Sequence, residues 1–387
     1  MFFINTTKIR QLLSFTILLL INFIFAYKYF SRGIEHALLL SISYIIILVI
    51  IYILSKRVDL KAFNSTRIFY VFVFLYMLGH IVLFHFIKVE SLNVDRWSVI
   101  SSFWEQTFHG LYPYNAQSHM GNYPAPLPFY FILALPFDLI GEIGYLALIG
   151  IIIFAVFLRK SLSARNSFGA MIILFLSVSV FWEISVRSTI LINAILFMLY
   201  LFWLQKVDFG NKKQYLASAI IGGLLLSTRT IFALPMVIYV VFLFKSKEVS
   251  LQSLIVWSLI IVGVLTLTFL PLFIFYFPEF IIRNPFNVQT DHLFPFNISL
   301  FFIVLSVISG FMCSRKREIL YYTSGIFVLV LITYFFLFIH KYGFMYAYLK
   351  SSIDISYMLF AFPFLLYFSF SSENDNIKNT IAMQSGS

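Results

Sequence analysis

Long apolar runs separated by short polar turns fill almost the whole chain, and they are too continuous to be the half-buried faces of a soluble fold. Stretches able to span a membrane lie near 11–30, 36–54, 68–87, 143–158, 168–186, 189–204, 215–227, 231–244, 251–276, 297–312, 319–339 and 356–370. Lipid offers backbone groups no hydrogen-bond partners, and none of these runs alternates like a barrel strand, so all are predicted to be helices. Several fall short of about 17 residues, the usual minimum for a span. The first run follows Lys8 and Arg10 and superficially resembles a signal peptide. It nevertheless has the length to cross a hydrocarbon core of about 30 Å and is followed by no small-residue cleavage site, so a retained anchor is expected.

Composition agrees with the pattern. Of 387 residues, 61% are hydrophobic and 11% charged, against about a quarter charged in soluble domains. The 49 phenylalanines and 23 tyrosines suit side chains that pack in the bilayer and anchor at its interfaces. The net charge of +11 does not imply a nucleic-acid partner, because the basic residues form short clusters beside apolar runs, as orientation signals do. Cys313 is the only cysteine, which excludes a disulfide within the chain and leaves cysteine-based metal or redox chemistry, and any cofactor, without a signal.

Orientation follows from the clusters Lys8/Arg10, Lys56/Arg57/Lys61, Arg159/Lys160/Arg165, Lys206/Lys212/Lys213, Lys245/Lys247 and Arg315/Lys316/Arg317. Twelve spans with both termini cytoplasmic put all of them inside, with eighteen of the 27 basic residues there and nine outside. The apolar segment from Leu127 to Ile140 cannot then be a full span. At about 1.5 Å per residue it reaches only about 20 Å, and it is expected as a juxtamembrane or re-entrant helix on the outer side. The same constraint folds 215–244 into a hairpin turning at Ser227, Thr228 and Arg229. The expectation is an all-α polytopic membrane protein, one transmembrane domain over 1–370, with a first extracytoplasmic loop at 88–142 that carries juxtamembrane helices. Smaller outer loops fall at 278–296 and 340–355, and 371–387 reads as a disordered cytoplasmic tail.

The first outer loop concentrates acids, aromatics and prolines. Asp95 stands just beyond the third span, followed by Gly110, Pro113 and Tyr114, and then by Tyr123, Pro124, Pro126 and Leu127 opening an apolar helix. This succession resembles the first extracytoplasmic loop of GT-C membrane glycosyltransferases, above all the polyprenyl-phosphate-mannose-dependent alpha-mannosyltransferase-like branch: an acid after a span, a G-x-x-P-Y element, then Y-P-x-P-L. Downstream, GGLLLSTRTIFALP at 222–235 is similar to the family's glycine-rich helix followed by a basic residue, here Arg229 where lysine is common. The polar G-Q-x-N feature of a later span is replaced by SVRSTILIN, with Arg187 and Asn193 as approximate counterparts. The resemblance touches about half of the chain. It implies a GT-C-like helical bundle that transfers a sugar, mannose or another hexose, from a polyprenyl-phosphate donor to an envelope glycan or lipid acceptor by inverting displacement. It also places the site on the extracytoplasmic face of a membrane, expected to be a bacterial plasma membrane.

Such a transfer needs a base for the attacking hydroxyl, and Asp95 is the candidate. A leaving lipid phosphate needs cations, and Arg96, Arg187 and Arg229 all fall on the outer side, with guanidinium forks suited to phosphate. Each of these can instead snorkel to head groups, and Glu183, four residues before Arg187, suggests a structural ion pair. Glu105 lies in a segment where Trp97, Ile100, Phe103, Trp104 and Phe108 recur at helical spacing, so a polar-face role competes with substrate contact. Tyr114, Tyr123, Asp291 and His292 complete the substrate-binding candidates, and Asp354 stands at the start of the last span. His109 and His119 lack compact ligand spacing, so no metal site is expected. No Walker loop, dinucleotide fingerprint or serine elbow is present. The rival readings are a lipid-linked oligosaccharide transporter or flippase and an envelope polysaccharide polymerase or ligase.

Overall fold

The computed structural model describes residues 6–58, 64–292, 296–350 and 354–372. Among them every regular element is helical, and seventeen α-helices carry the fold. The chain rises through α1 (Thr6–Phe30), returns through α2 (Ala37–Arg57) and rises again through α3 (Thr66–Phe86). The first loop then lays down α4 (Arg96–Phe108) and α5 (Pro128–Leu139) before α6 (Gly144–Ser161). There follow α7 (Ala164–Leu176), α8 (Val178–Ser185), α9 (Ile190–Leu204), α10 (Lys212–Leu226), α11 (Ala233–Ser246) and α12 (Leu251–Phe275). Two short helices, α13 (Phe277–Ile282) and α14 (Pro285–His292), precede α15 (Phe296–Met312), α16 (Lys316–Tyr342) and α17 (Phe362–Phe370). Each of the twelve apolar stretches contains a helix, and the tail from 373 lies outside the described residues.

Six helices, α1, α2, α3, α6, α12 and α16, are long and apolar enough to cross a membrane, and the pair α7–α8 makes a seventh if counted as one bent span. Leu39, Phe74, Leu259 and Leu267 lie exposed on these helices, a surface that lipid tolerates and water does not. The protein is therefore a helical membrane protein. The remaining apolar helices are shorter, from the nine residues of α17 to the 17 of α15.

Contacts between helix ends form two sets. At one rim Arg10 pairs with Glu318, Arg159 donates to the carbonyl of Asn64, Arg165 to that of Ser55, Tyr239 to that of Leu204, and Lys316 pairs with Glu248. Ser65, Ser163, Asn211 and Ser250 cap helices that start there, each accepting from a backbone N–H of the first turn. At the other rim Arg187 reaches the carbonyl of Ile87, Leu127 N–H donates to Thr228, Tyr112 to the carbonyl of Arg283, and Arg96 pairs with Asp354. The predicted basic clusters, apart from Lys61, which lies outside the described residues, gather at the first rim and the acid- and aromatic-rich loop at the second.

Between the rims, packing depends on close helix approach. A Cβ on Gly223 of α10 would lie 2.6 Å from the Ile261 carbonyl oxygen of α12 and 2.6 Å from Val264 Cβ, so only glycine lets these two helices meet there. The α7–α8 pair bends by 62°. Tyr44 hydroxyl fills that break, donating to the Leu176 carbonyl and accepting from Val178 N–H, both at 3.0 Å. Asn22 Oδ1 in turn accepts from the Tyr44 hydroxyl at 3.0 Å and the Ser179 hydroxyl at 3.2 Å. Backbone groups freed by the bend are thus satisfied inside the bundle, as an apolar medium requires.

Candidate functional site

Apolar burial first builds a second, smaller core that holds the loop between α3 and α6. Ile100 and Phe103 of α4, Phe131 and Ala134 of α5, Tyr112, Tyr114 and Leu127 bury against Ile143, Leu146 and Phe269. Phe103 stacks face to face on Phe131 at 3.7 Å, and Trp104 Nε1 donates to the Phe131 carbonyl at 3.1 Å. This fixes α4 as an amphipathic helix lying on α5, whose short apolar stretch starts at Pro128. Gly110 takes φ +70° to end α4, with Leu111 N–H donating to the Gln106 carbonyl at 2.9 Å. That left-handed stop is what the glycine of the G-x-x-P-Y element supplies.

Asp95 occupies the position before α4 without capping it. Its Oδ2 instead accepts from Ser118 Oγ at 2.8 Å and Asn122 Nδ2 at 2.7 Å. Ser98 Oγ sits 2.6 Å from His119 Nδ1, and Trp97 stacks on the His119 ring, so both ends of the 118–122 turn are clasped to the start of α4. The carboxylate is half-buried at the rim, and among the described residues both of these bonds fall on Oδ2.

Arg96, the next residue, turns the other way and pairs with Asp354. Burial works against its charge, but Asp354 and Glu183 outweigh that and hold its pKa above an ordinary arginine. Tyr130 and Tyr357 also lie within electrostatic reach of Arg96. Arg229 spreads over the Tyr130 ring at 4.8 Å, and its buried Nε has no hydrogen-bond partner. The Leu127 N–H bond to the Thr228 carbonyl (3.3 Å) and the Phe129 N–H bond to the Ser227 carbonyl (2.9 Å) place Arg229 there. Pro128 cannot donate, so the two bonds straddle it.

Glu183, on α8, is fully buried, and neither carboxylate oxygen completes a hydrogen bond. Arg96 and Asp354 act on it through their charges, and the hydroxyls of Ser188 and Ser356 lie close enough to stabilise it in part.

The expected Glu183–Arg187 pair does not form. Helix α8 ends at Ser185, and Arg187 adopts left-handed backbone at φ 58°. Its guanidinium pairs with Glu142 at 3.2 Å, donates to the carbonyls of Ser185, Phe84 and Ile87, and is 1% exposed. It is a knot tying three helix ends, apart from the cations at Tyr130. Tyr114 is buried with its hydroxyl on the Pro126 carbonyl at 3.0 Å. Tyr123 lies 3.7 Å under the guanidinium of Arg283, which also donates to Asn115. Glu105 is exposed on the solvent face of α4. Asn193 of α9 is buried, with its amide on the carbonyl of Thr189. The side chains of Asp291 and His292 lie outside the described residues. Among the described residues no three His, Cys, Asp or Glu side chains converge.

The fold thus brings together Arg96, Arg229 and Asp354 from the sequence candidates, with Asp95 adjoining, and adds Glu183, Tyr130, Tyr357 and the buried Lys28, which feels the charge of Asp354. Lys28 and Glu183 carried a sequence signal, since each is a lone charge inside an apolar run. Comparison with protein-family models, with curated proteins and with solved structures yields no match for this chain.

Proposed function

We propose that this protein is a membrane glycosyltransferase of GT-C type that transfers a hexose from a polyprenyl-phosphate donor to an envelope glycan or lipid acceptor. The observation that carries the reading is the pair of backbone bonds from Leu127 and Phe129 to the Thr228–Ser227 turn. They join the two sequence elements on which the family resemblance rests and set Arg229 on Tyr130 beside Arg96. In this reading all twelve apolar stretches cross the bilayer, the basic rim faces the cytoplasm and the Asp95 rim faces outward, where such donors are presented.

The chemistry is an inverting displacement. The acceptor hydroxyl oxygen forms a bond to the anomeric carbon while the bond from that carbon to the phosphate oxygen breaks, and the polyprenyl phosphate departs with the electron pair. Asp95 takes the hydroxyl proton, with Ser118 and Asn122 holding the carboxylate on one oxygen. Arg229, with an unpartnered Nε, stabilises the charge developing on the phosphate. Asp95→Asn, assayed in membranes with the matched donor, should lose transfer by at least about a hundredfold while inserting like the wild type. Undiminished transfer would remove Asp95 as the base.

One observation favours the transporter reading, namely the broken pair α7–α8, because discontinuous helices line many transport sites. It differs in outcome: a flippase moves the lipid-linked sugar intact, whereas a transferase leaves bare polyprenyl phosphate.

A further inference from the structure

We infer that Glu183, Arg96 and Asp354 form a buried subsite for the ring hydroxyls of a sugar. The glycosyl-transfer reading enters only in identifying that sugar with the donor head group.

The starting point is an unbalanced group. Glu183 is fully buried and neither of its oxygens completes a well-formed hydrogen bond; the hydroxyls of Ser188 and Ser356 are the neighbours that partly stabilise it, and two weak donors are poor compensation for a buried carboxylate. Its place is not accidental packing. The bend at Ser177 aims α8 toward the loop rim, and that bend is held by Tyr44 and Asn22 from two other helices. Facing Glu183 is an ion pair drawn from two distant segments, Arg96 at the start of α4 and Asp354 before the last helix. Further groups at this rim are left open: Ser185 Oγ and Thr189 Oγ1, on either side of the turn after α8, and Arg229 Nε lack partners as well.

The chemistry selects the ligand class. Two carboxylates repel an anion, so a phosphate does not belong against Glu183. A metal or alkali cation is disfavoured by the Arg96 guanidinium, which interacts with both acids, and by Lys28, which feels the charge of Asp354. A neutral polyol suits all three groups, since its hydroxyls donate to Glu183 and Asp354 and accept from Arg96. Tyr130 and Tyr357 lie within electrostatic reach of Arg96, and aromatic rings suit the apolar side of a pyranose ring. Arg229 stacks on Tyr130, so a sugar at Glu183 leaves its phosphate to Arg229.

The test uses the purified full chain in nanodiscs, read by tryptophan fluorescence, since Trp182 adjoins Glu183 in sequence, and by thermal stability. Three probes are compared: polyprenyl-phosphate hexose, bare polyprenyl phosphate, and free methyl hexopyranoside. The wild type should bind the glycosylated lipid about tenfold more tightly than the bare lipid, equivalent to about 1.4 kcal/mol. Glu183→Gln should erase that preference while binding bare lipid normally. Equal binding of the two lipids by the wild type, which requires no variant to fold, overturns the subsite, as does a preference retained by Glu183→Gln. If neither lipid binds but the methyl glycoside stabilises the wild type and not Glu183→Gln, the subsite stands and the lipid-phosphate donor falls. Glu183-dependent stabilisation by sodium, potassium or magnesium with no response to any sugar overturns it in favour of a cation site.

Discussion

Arg187 and Arg229 show how differently two arginines at the same rim are used. Arg187 pays for a left-handed backbone, φ 58°, with five contacts around a buried guanidinium, among them a two-pronged pair with Glu142. Removing one partner of such a pair strands the other, so Arg187→Ala should destabilise the protein by about 3 kcal/mol, seen as a lowered Tm in detergent. Arg229→Ala should lower Tm far less than Arg187→Ala, because it gives up the stack on Tyr130 but no hydrogen bond at its buried Nε, yet weaken binding of polyprenyl phosphate. If Arg229→Ala unfolds the protein while binding survives, the two assignments are reversed. From sequence the two arginines looked alike, and the four-residue spacing of Glu183 and Arg187 suggested a helical pair. That inference failed because α8 stops at Ser185, so Arg187 is not on the helix that the spacing assumes. Cys313 gives a separate test at this scale. Burial raises its thiol to about 12, from an ordinary value of 9.0. The folded thiol is therefore protonated at pH 8 and should resist maleimide until the protein unfolds. Since the folded pKa of this acid is raised, its contribution favours folding below pH 9 and is lost as pH climbs from there toward 12.

The elements themselves were largely legible. Each apolar stretch became helix, the short run after Leu127 became α5 (Pro128–Leu139) on the loop side, and the hairpin turned at Ser227–Arg229. The bend between α7 and α8 was not, because 168–186 reads as one continuous apolar run. Nothing local breaks it. The break is stabilised from elsewhere, by Tyr44 of α2 and Asn22 of α1, and periodicity has no access to partners more than a hundred residues away. Tyr44→Phe removes a hydroxyl that serves both Leu176 O and Val178 N–H, and should cost about 1–3 kcal/mol for the orphaned groups. If the bend also aims Glu183, sugar discrimination should weaken in the same variant; a Tyr44→Phe protein with unchanged stability would show that the break needs no such support. On α10, Gly223→Val should destabilise by about 1–3 kcal/mol through overpacking against Ile261 and Val264, checked by the loss of folded protein on heating.

At the scale of the whole molecule, polarity between the two rims organises everything else. Basic clusters and serine or asparagine caps collect at one, while Asp95, the charged cluster around Arg96 and the aromatic loop core collect at the other. Which helix ends share a rim was readable because clusters of Arg and Lys beside apolar runs mark them. The composition of the site was readable only in part, since the convergence of α4, α8 and the segment before the last helix depends on tertiary packing. In a Cys313→Ser background, Gln117→Cys should be labelled from outside intact cells and Lys213→Cys only after permeabilisation. Labelling in the opposite sense would invert the molecule and remove the site from the donor's side of the membrane.

The most direct measurement is mass spectrometry of the lipid carrier after incubating purified protein, in nanodiscs, with a polyprenyl-phosphate hexose and acceptor extracted from the envelope. The account predicts that bare polyprenyl phosphate accumulates in step with a hexose added to the acceptor, and that neither appears with Asp95→Asn. A carrier that keeps its sugar under these conditions, while the same protein in sealed vesicles moves it intact across the bilayer, would contradict glycosyl transfer and establish transport in its place.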